Sequence, residues 1–66
     1  MFITLNGKKQ KLREEMPLSR LLAEFKVEER AVAIEVNGNI IPRSEFSNLE
    51  IKEGDTIELL RVVGGG

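Results

Sequence analysis

The sequence predicts an α+β fold, a mixed sheet of four to five strands with one short helix packed across one face. Three observations lead there. Two Asn-Gly pairs, Asn6-Gly7 and Asn37-Gly38, each divide a run of strand-forming residues, and Asn-Gly is the strongest two-residue hairpin signal because both positions tolerate positive φ. Between the hairpins the apolar period changes to that of a helix, at Leu18, Leu21, Leu22 and Phe25. A last alternating run, residues 56–63, has no hairpin partner of its own and must join the same sheet.

In chain order, residues 2–5 and 9–13 form the first hairpin. Strand alternation sends Met1, Ile3 and Leu5 to the core and Phe2 and Thr4 outward. The apolar stripe of the helix follows i, i+3, i+4 and i+7, about two turns long, and all four residues are expected in the core. Pro17 suits its first turn, where no N–H is needed. No Ser, Thr, Asp or Asn precedes Pro17, so the N-cap is weak, and so short a helix depends on packing against the sheet.

Residues 32–36 and 39–41 form the second hairpin, with Val32, Ile34 and Val36 facing the core and Ala33, Glu35 and Asn37 facing away. Pro42 ends the strand, residues 43–47 turn irregularly, and Phe46 and Leu49 close the end of the core. Glu53-Gly54-Asp55 is a third turn. In the final strand Ile57 and Leu59 point inward and Glu58, Leu60 and Val62 outward. Placing that strand in the middle, parallel to the first, with the helix across one face, gives the β-grasp arrangement. Residues 1–63 are then a single domain, and Gly64, Gly65 and Gly66 form a tail.

Composition limits the function. The chain has 66 residues, 41% of them hydrophobic, enough for one small core that buries about 60% of the unfolded surface. It has no histidine, cysteine, tryptophan or tyrosine. Disulfides and thiolate metal sites are excluded, and so are the usual side-chain nucleophiles and proton shuttles. These absences argue against an enzyme acting alone. A net charge of −1, from 10 Lys+Arg and 11 Asp+Glu, argues against nucleic acid, which calls for a basic excess. No apolar run is long enough to span a bilayer, and the N-terminus lacks the basic flank of a signal peptide, so a cytoplasmic location is expected. Glu14-Glu15 and Glu28-Glu29-Arg30 read as solvated turns, and Lys8, Lys9 and Lys11 as guards of an edge strand.

The glycine tail has a chemistry of its own. Without Cβ atoms it can enter a narrow channel in a partner, and its α-carboxylate is the only reactive group there. A carboxylate is a poor electrophile. Joining it to AMP, at the expense of ATP, gives a mixed anhydride with a good leaving group. A sulfur nucleophile can displace the AMP and leave a thiocarboxylate that delivers sulfur without free sulfide. All catalysis would belong to partners. A glycine stub with no role is the bland alternative.

The opening strand with Asn6-Gly7, the Val-Asn-Gly-Asn-Ile-Ile-Pro-Arg segment at 36–43, Glu-Gly-Asp at 53–55 and the ending Val-Val-Gly-Gly-Gly resemble the ThiS family over essentially the whole chain. These are small sulfur carrier proteins of thiamine biosynthesis with the ubiquitin-like β-grasp fold. The resemblance implies that Gly66 is adenylated by an E1-like, ThiF-type enzyme, with ATP used by that partner and no cofactor bound here. It implies conversion to a thiocarboxylate, with a sulfur donor enzyme acting indirectly, and transfer of sulfur to a ThiG-type thiazole synthase. Gly64 and Gly65 would lie in the partner's channel, and the free protein would be a monomer. Two alternatives stand beside it: the small subunit of molybdopterin synthase, a similar carrier but generally longer, and a β-grasp module that binds partners without being activated.

A docking face is expected next to the tail. With the first and last strands as neighbours, the outward residues Phe2, Leu60 and Val62 should form one exposed apolar cluster, with Ala33 at its edge. Arg43 and Arg61 are candidates to meet an acidic partner surface, where rim charges tune rates more than affinity.

Overall fold

The computed structural model describes residues 1–61. Strands β1 (Phe2–Leu5) and β2 (Lys8–Lys11) form the first hairpin, and β4 (Val32–Val36) and β5 (Asn39–Ile41) the second. Between them lie β3 (Met16–Pro17), the helix α1 (Leu18–Glu24) and a 3-10 turn at Glu29–Ala31. A second 3-10 turn at Arg43–Glu45, β6 (Glu50–Ile51) and β7 (Thr56–Arg61) follow. The main sheet has the order β2-β1-β7-β4-β5, and β3 pairs with β6 in a separate two-stranded ribbon. The last strand therefore lies in the centre, parallel to β1 and antiparallel to β4, as the β-grasp order requires.

Both hairpin loops have two residues, as the pairs Leu5↔Lys8 and Val36↔Asn39 show. Asn6 and Gly7 sit at φ 50° and 80°, and Asn37 and Gly38 at 52° and 85°. Positive φ at both central positions is the type I′ turn, whose twist matches that of the strands it joins. The alternation expected for the strands holds: Ile3, Ile34 and Ile57 are almost fully buried against Leu18, Leu21 and Leu22 of the helix. Each such side chain contributes about 1.5–3 kcal/mol of burial. Phe46 is buried and Leu49 packs partly against the same core, so the irregular link closes its end.

Several local expectations are corrected. The second strand ends at Lys11 rather than at residue 13, because Leu12 turns its side chain into the core while its N–H donates to the Met1 carbonyl at 2.8 Å. Pro17 is the N-cap of the helix rather than part of its first turn, with extended backbone that pairs with Glu50 in the ribbon. The missing side-chain cap is replaced by the link itself: Leu18 N–H donates to the Leu49 carbonyl and Ser19 N–H to that of Phe46. Two orphan donors of the first turn are thus satisfied by backbone.

Phe25 is the cap residue after the helix and is exposed, so it does not extend the core stripe. The reason is the way the helix ends. Lys26 takes left-handed φ 57°, Val27 N–H reaches back to the Leu22 carbonyl at 2.8 Å, and Lys26 N–H to that of Ala23 at 3.1 Å. This is a Schellman closure with lysine where glycine is usual. It turns Val27, not Phe25, onto the core. The expected domain limit after Val63, the Gly64–Gly66 tail and Val62 lie outside the described residues.

Candidate functional site

β7 would deliver the tail, and its position is held from both sides. In the hairpin turns the Asn side chains do more than permit the turn. Asn37 Oδ1 accepts from Thr56 N–H at 2.9 Å, and Asn6 Oδ1 accepts from Leu59 N–H at 2.7 Å. The Asn37 backbone N–H also donates to the Thr56 carbonyl at 2.7 Å, and that of Asn6 to the Ile57 carbonyl at 2.9 Å. Asp55 completes the brace, accepting from Asn37 Nδ2 at 3.0 Å and from Lys52 N–H at 2.8 Å. These roles were not read from the sequence. The signal was present, since a central last strand must adjoin both turns, and a left-handed Asn next to a strand offers an amide to it.

The sheet face away from the helix is the surface on which a partner could rest. Register places its residues in rows. Leu60 stands opposite Ala33, and Glu58 opposite Glu35, which in turn faces Ile40. Leu60 is 53% exposed and Ile40 72%. At the far edge, Lys9 Nζ lies 4.4 Å from the centroid of the Phe2 ring.

The structure brings only part of the expected cluster together. Leu60 and Ala33 are cross-strand partners at the end of β7 that leads to the tail. Phe2 is exposed on the same face but is not beside them. Because β1 and β7 are parallel with Thr4 opposite Thr56, Phe2 and Leu60 are offset by six positions along the strands, about 20 Å at 3.3 Å per residue. Phe2 instead adjoins the start of β7, where its carbonyl accepts from Gly54 N–H at 2.8 Å and its N–H donates to Glu53 Oε1 at 3.0 Å. Alternation predicts the face of a side chain; only the register says which end of the sheet it occupies. Of the remaining candidates, Val62, Gly64, Gly65 and Gly66 lie outside the described residues.

On the helix side, the exit of β7 borders an open groove lined by Phe25, Lys26, Val27, Val32 and Arg61. Arg43 lies with Ser19, Ala23 and Arg30 along a second groove, away from the Leu60 row. Among the described residues no cluster of three or more potential metal ligands occurs, and no helix is long and apolar enough to cross a membrane.

Comparison with known proteins adds the following. The profile of the ThiS family matches residues 3–66. The chain is 34% identical over 65 residues to the sulfur carrier protein ThiS of Bacillus subtilis, covering 97% of this chain and 98% of that one. It is 33% identical over 66 residues to a thiazole synthase of Paramagnetospirillum magneticum, and spans only 20% of that longer protein. The fold is similar to the crystal structure of the thiamine biosynthesis protein ThiS from Geobacter metallireducens, with a TM-score of 0.89, 35% identity and full coverage of both chains.

Proposed function

Because this chain belongs to the ThiS family, we propose that it is a sulfur carrier protein of thiamine biosynthesis whose reactive group is the Gly66 carboxylate. The observation that carries the proposal is the match along nearly the whole length of a small sulfur carrier, on a sheet whose central strand is the last element before the glycines in the sequence.

The chemistry divides between carrier and partners. A ThiF-type adenylating enzyme joins the Gly66 carboxylate to AMP and releases pyrophosphate. A sulfur nucleophile at the sulfide level, originating from a donor enzyme, displaces AMP: the C–S bond forms as the C–O bond to phosphate breaks, which leaves the thiocarboxylate. The thiocarboxylate then passes its sulfur to a thiazole synthase. A protein named as a thiazole synthase contains a segment similar to this whole chain, which supports that acceptor over molybdopterin chemistry. The carrier's own part is to present the tail. Gly64 and Gly65 thread the partner's channel, while Leu60 with Ala33, and Val62 beyond them, form the apolar surface that docks. Phe2, six positions from Leu60 along the strands, lies under Lys9 and outside this surface.

A chain extended past Gly66 by one alanine tests the assignment. Pyrophosphate release with a ThiF-type enzyme should fall to background while the fold and partner affinity are kept. Continued release at the rate of the unextended chain would place activation elsewhere.

A further inference from the structure

The two hairpin turns form a matched pair with one difference. Both are Asn-Gly, both are exposed, and their φ angles nearly coincide, 50° and 80° against 52° and 85°. In both, Asn Oδ1 accepts from a backbone N–H of β7, that of Leu59 at Asn6 and that of Thr56 at Asn37. The glycine N–H of each turn lies outside the strand ladder and donates to no backbone group among the described residues. The amide nitrogens differ. Asn37 Nδ2 donates to Asp55 Oδ1 at 3.0 Å, and Asp55 is itself fixed by Lys52 N–H at 2.8 Å. Asn6 Nδ2 has no such acceptor among the described residues, where the side chain has the Leu59 contact alone.

An asparagine followed by glycine can react with its own backbone. The glycine nitrogen attacks Asn Cγ; the new C–N bond closes a succinimide ring as the Cγ–Nδ2 bond breaks, and the nitrogen's proton leaves with the ammonia. Water then opens the ring at either carbonyl, giving aspartate or isoaspartate. Glycine leaves the nitrogen unshielded by a Cβ, whereas Asn39 and Asn48 precede Ile40 and Leu49, whose side chains hinder the approach.

We propose that Asn6-Gly7 is a self-modification site of this chain, and that Asp55 shields Asn37-Gly38 from the same reaction. Attack on Asn37 must first break a hydrogen bond to a charged acceptor, and the Asp55 charge opposes loss of the nearby Gly38 proton. At Asn6 the leaving nitrogen is free, and Leu59 N–H stabilises the oxyanion that forms at Oδ1. The product bears on β7. Aspartate at residue 6 keeps an acceptor for Leu59 N–H. Isoaspartate routes the main chain through the former side chain, which adds a carbon to a turn whose ends are fixed by the Leu5↔Lys8 pair and shortens the group that latches β7. The reaction needs water and no partner, so it stands apart from the carrier chemistry.

The test incubates the folded chain at mildly alkaline pH below its thermal midpoint, with a parallel sample in concentrated urea. Trypsin then separates the two sites, in residues 1–8 and 31–43. Conversion is read from the mass change as the amide becomes an acid, and isoaspartate from fragmentation. Asn6 should convert about tenfold faster than Asn37 in the folded chain, the factor expected from one additional charge-assisted hydrogen bond. In urea the two rates should converge. Equal rates in the folded chain, or a faster Asn37, would overturn the proposal. So would a gap that persists in urea, which would assign the difference to flanking residues rather than to the fold. Asp55→Ala, compared at the same margin below its own midpoint, should lose most of the gap through faster reaction at Asn37. An Asn37 that stays slow in that variant removes Asp55 as the shield. Chains carrying isoaspartate at residue 6 should melt below Asn6→Asp, and equal midpoints would contradict the link to β7.

Discussion

Asn6 and Asn37 show how much one residue type can carry in a small domain. Each supplies a left-handed turn conformation and a side-chain acceptor for a backbone N–H of β7. Replacing Asn37 by Ala removes two hydrogen bonds and leaves a Cβ residue at positive φ, so a loss of about 1–2 kcal/mol is expected in urea unfolding. Asn37→Gly separates the two effects. It relieves the backbone cost but not the lost acceptor, and should fall between the parent and Asn37→Ala. The turns themselves were legible from the Asn-Gly dipeptides. The latches follow only when the Asn-Gly signal is combined with the central place of β7; neither dipeptide carries them alone.

At the scale of elements, the helix was legible by its stripe and misread at both ends. Its N-terminus is capped by carbonyls of the 46–49 link, a tertiary solution invisible to any rule about the preceding residue. At its C-terminus, Lys26 occupies a position that favours glycine. Lys26→Gly should therefore stabilise the protein by about 0.5–1 kcal/mol, seen as a higher urea midpoint with an unchanged slope. Phe25 and Leu22 give the complementary comparison. Leu22→Ala opens a cavity in the core and should cost about 2–5 kcal/mol, whereas Phe25→Ala removes a side chain that is 36% exposed and should cost clearly less. The β3–β6 ribbon escaped the sequence reading because two-residue strands leave no alternation to detect. Leu60→Asp, at an exposed position of β7, should change stability by no more than about 0.5 kcal/mol while weakening partner binding.

The last run of alternating residues must enter a sheet that already holds two hairpins. That placed β7 in the centre, and the observed strand order agrees. The faces followed from alternation, and Ile57 and Leu60 lie on the expected sides. What alternation does not encode is the offset between parallel neighbours, which moved Phe2 to the opposite end of the sheet from Leu60. The resulting molecule has its anchoring core on one face of β7 and exposed Leu60 on the other, close to the end that leads to the glycines. On the proposed reading, this arrangement suits a carried reagent whose chemistry is confined to its end.

That division makes one experiment the most direct. The protein is incubated with ATP, a sulfur donor and a ThiF-type enzyme, treated with a thiol alkylator and measured as an intact mass, then mapped by peptide. Because the chain has no cysteine, a thiocarboxylate is the group that alkylation reports, and it is thereby distinguished from oxidation of Met1 or Met16. The account predicts a single alkyl adduct at Gly66, absent without ATP and absent when Gly66 is deleted. Well-folded protein that binds the adenylating enzyme yet gives neither adenylate nor adduct would contradict it.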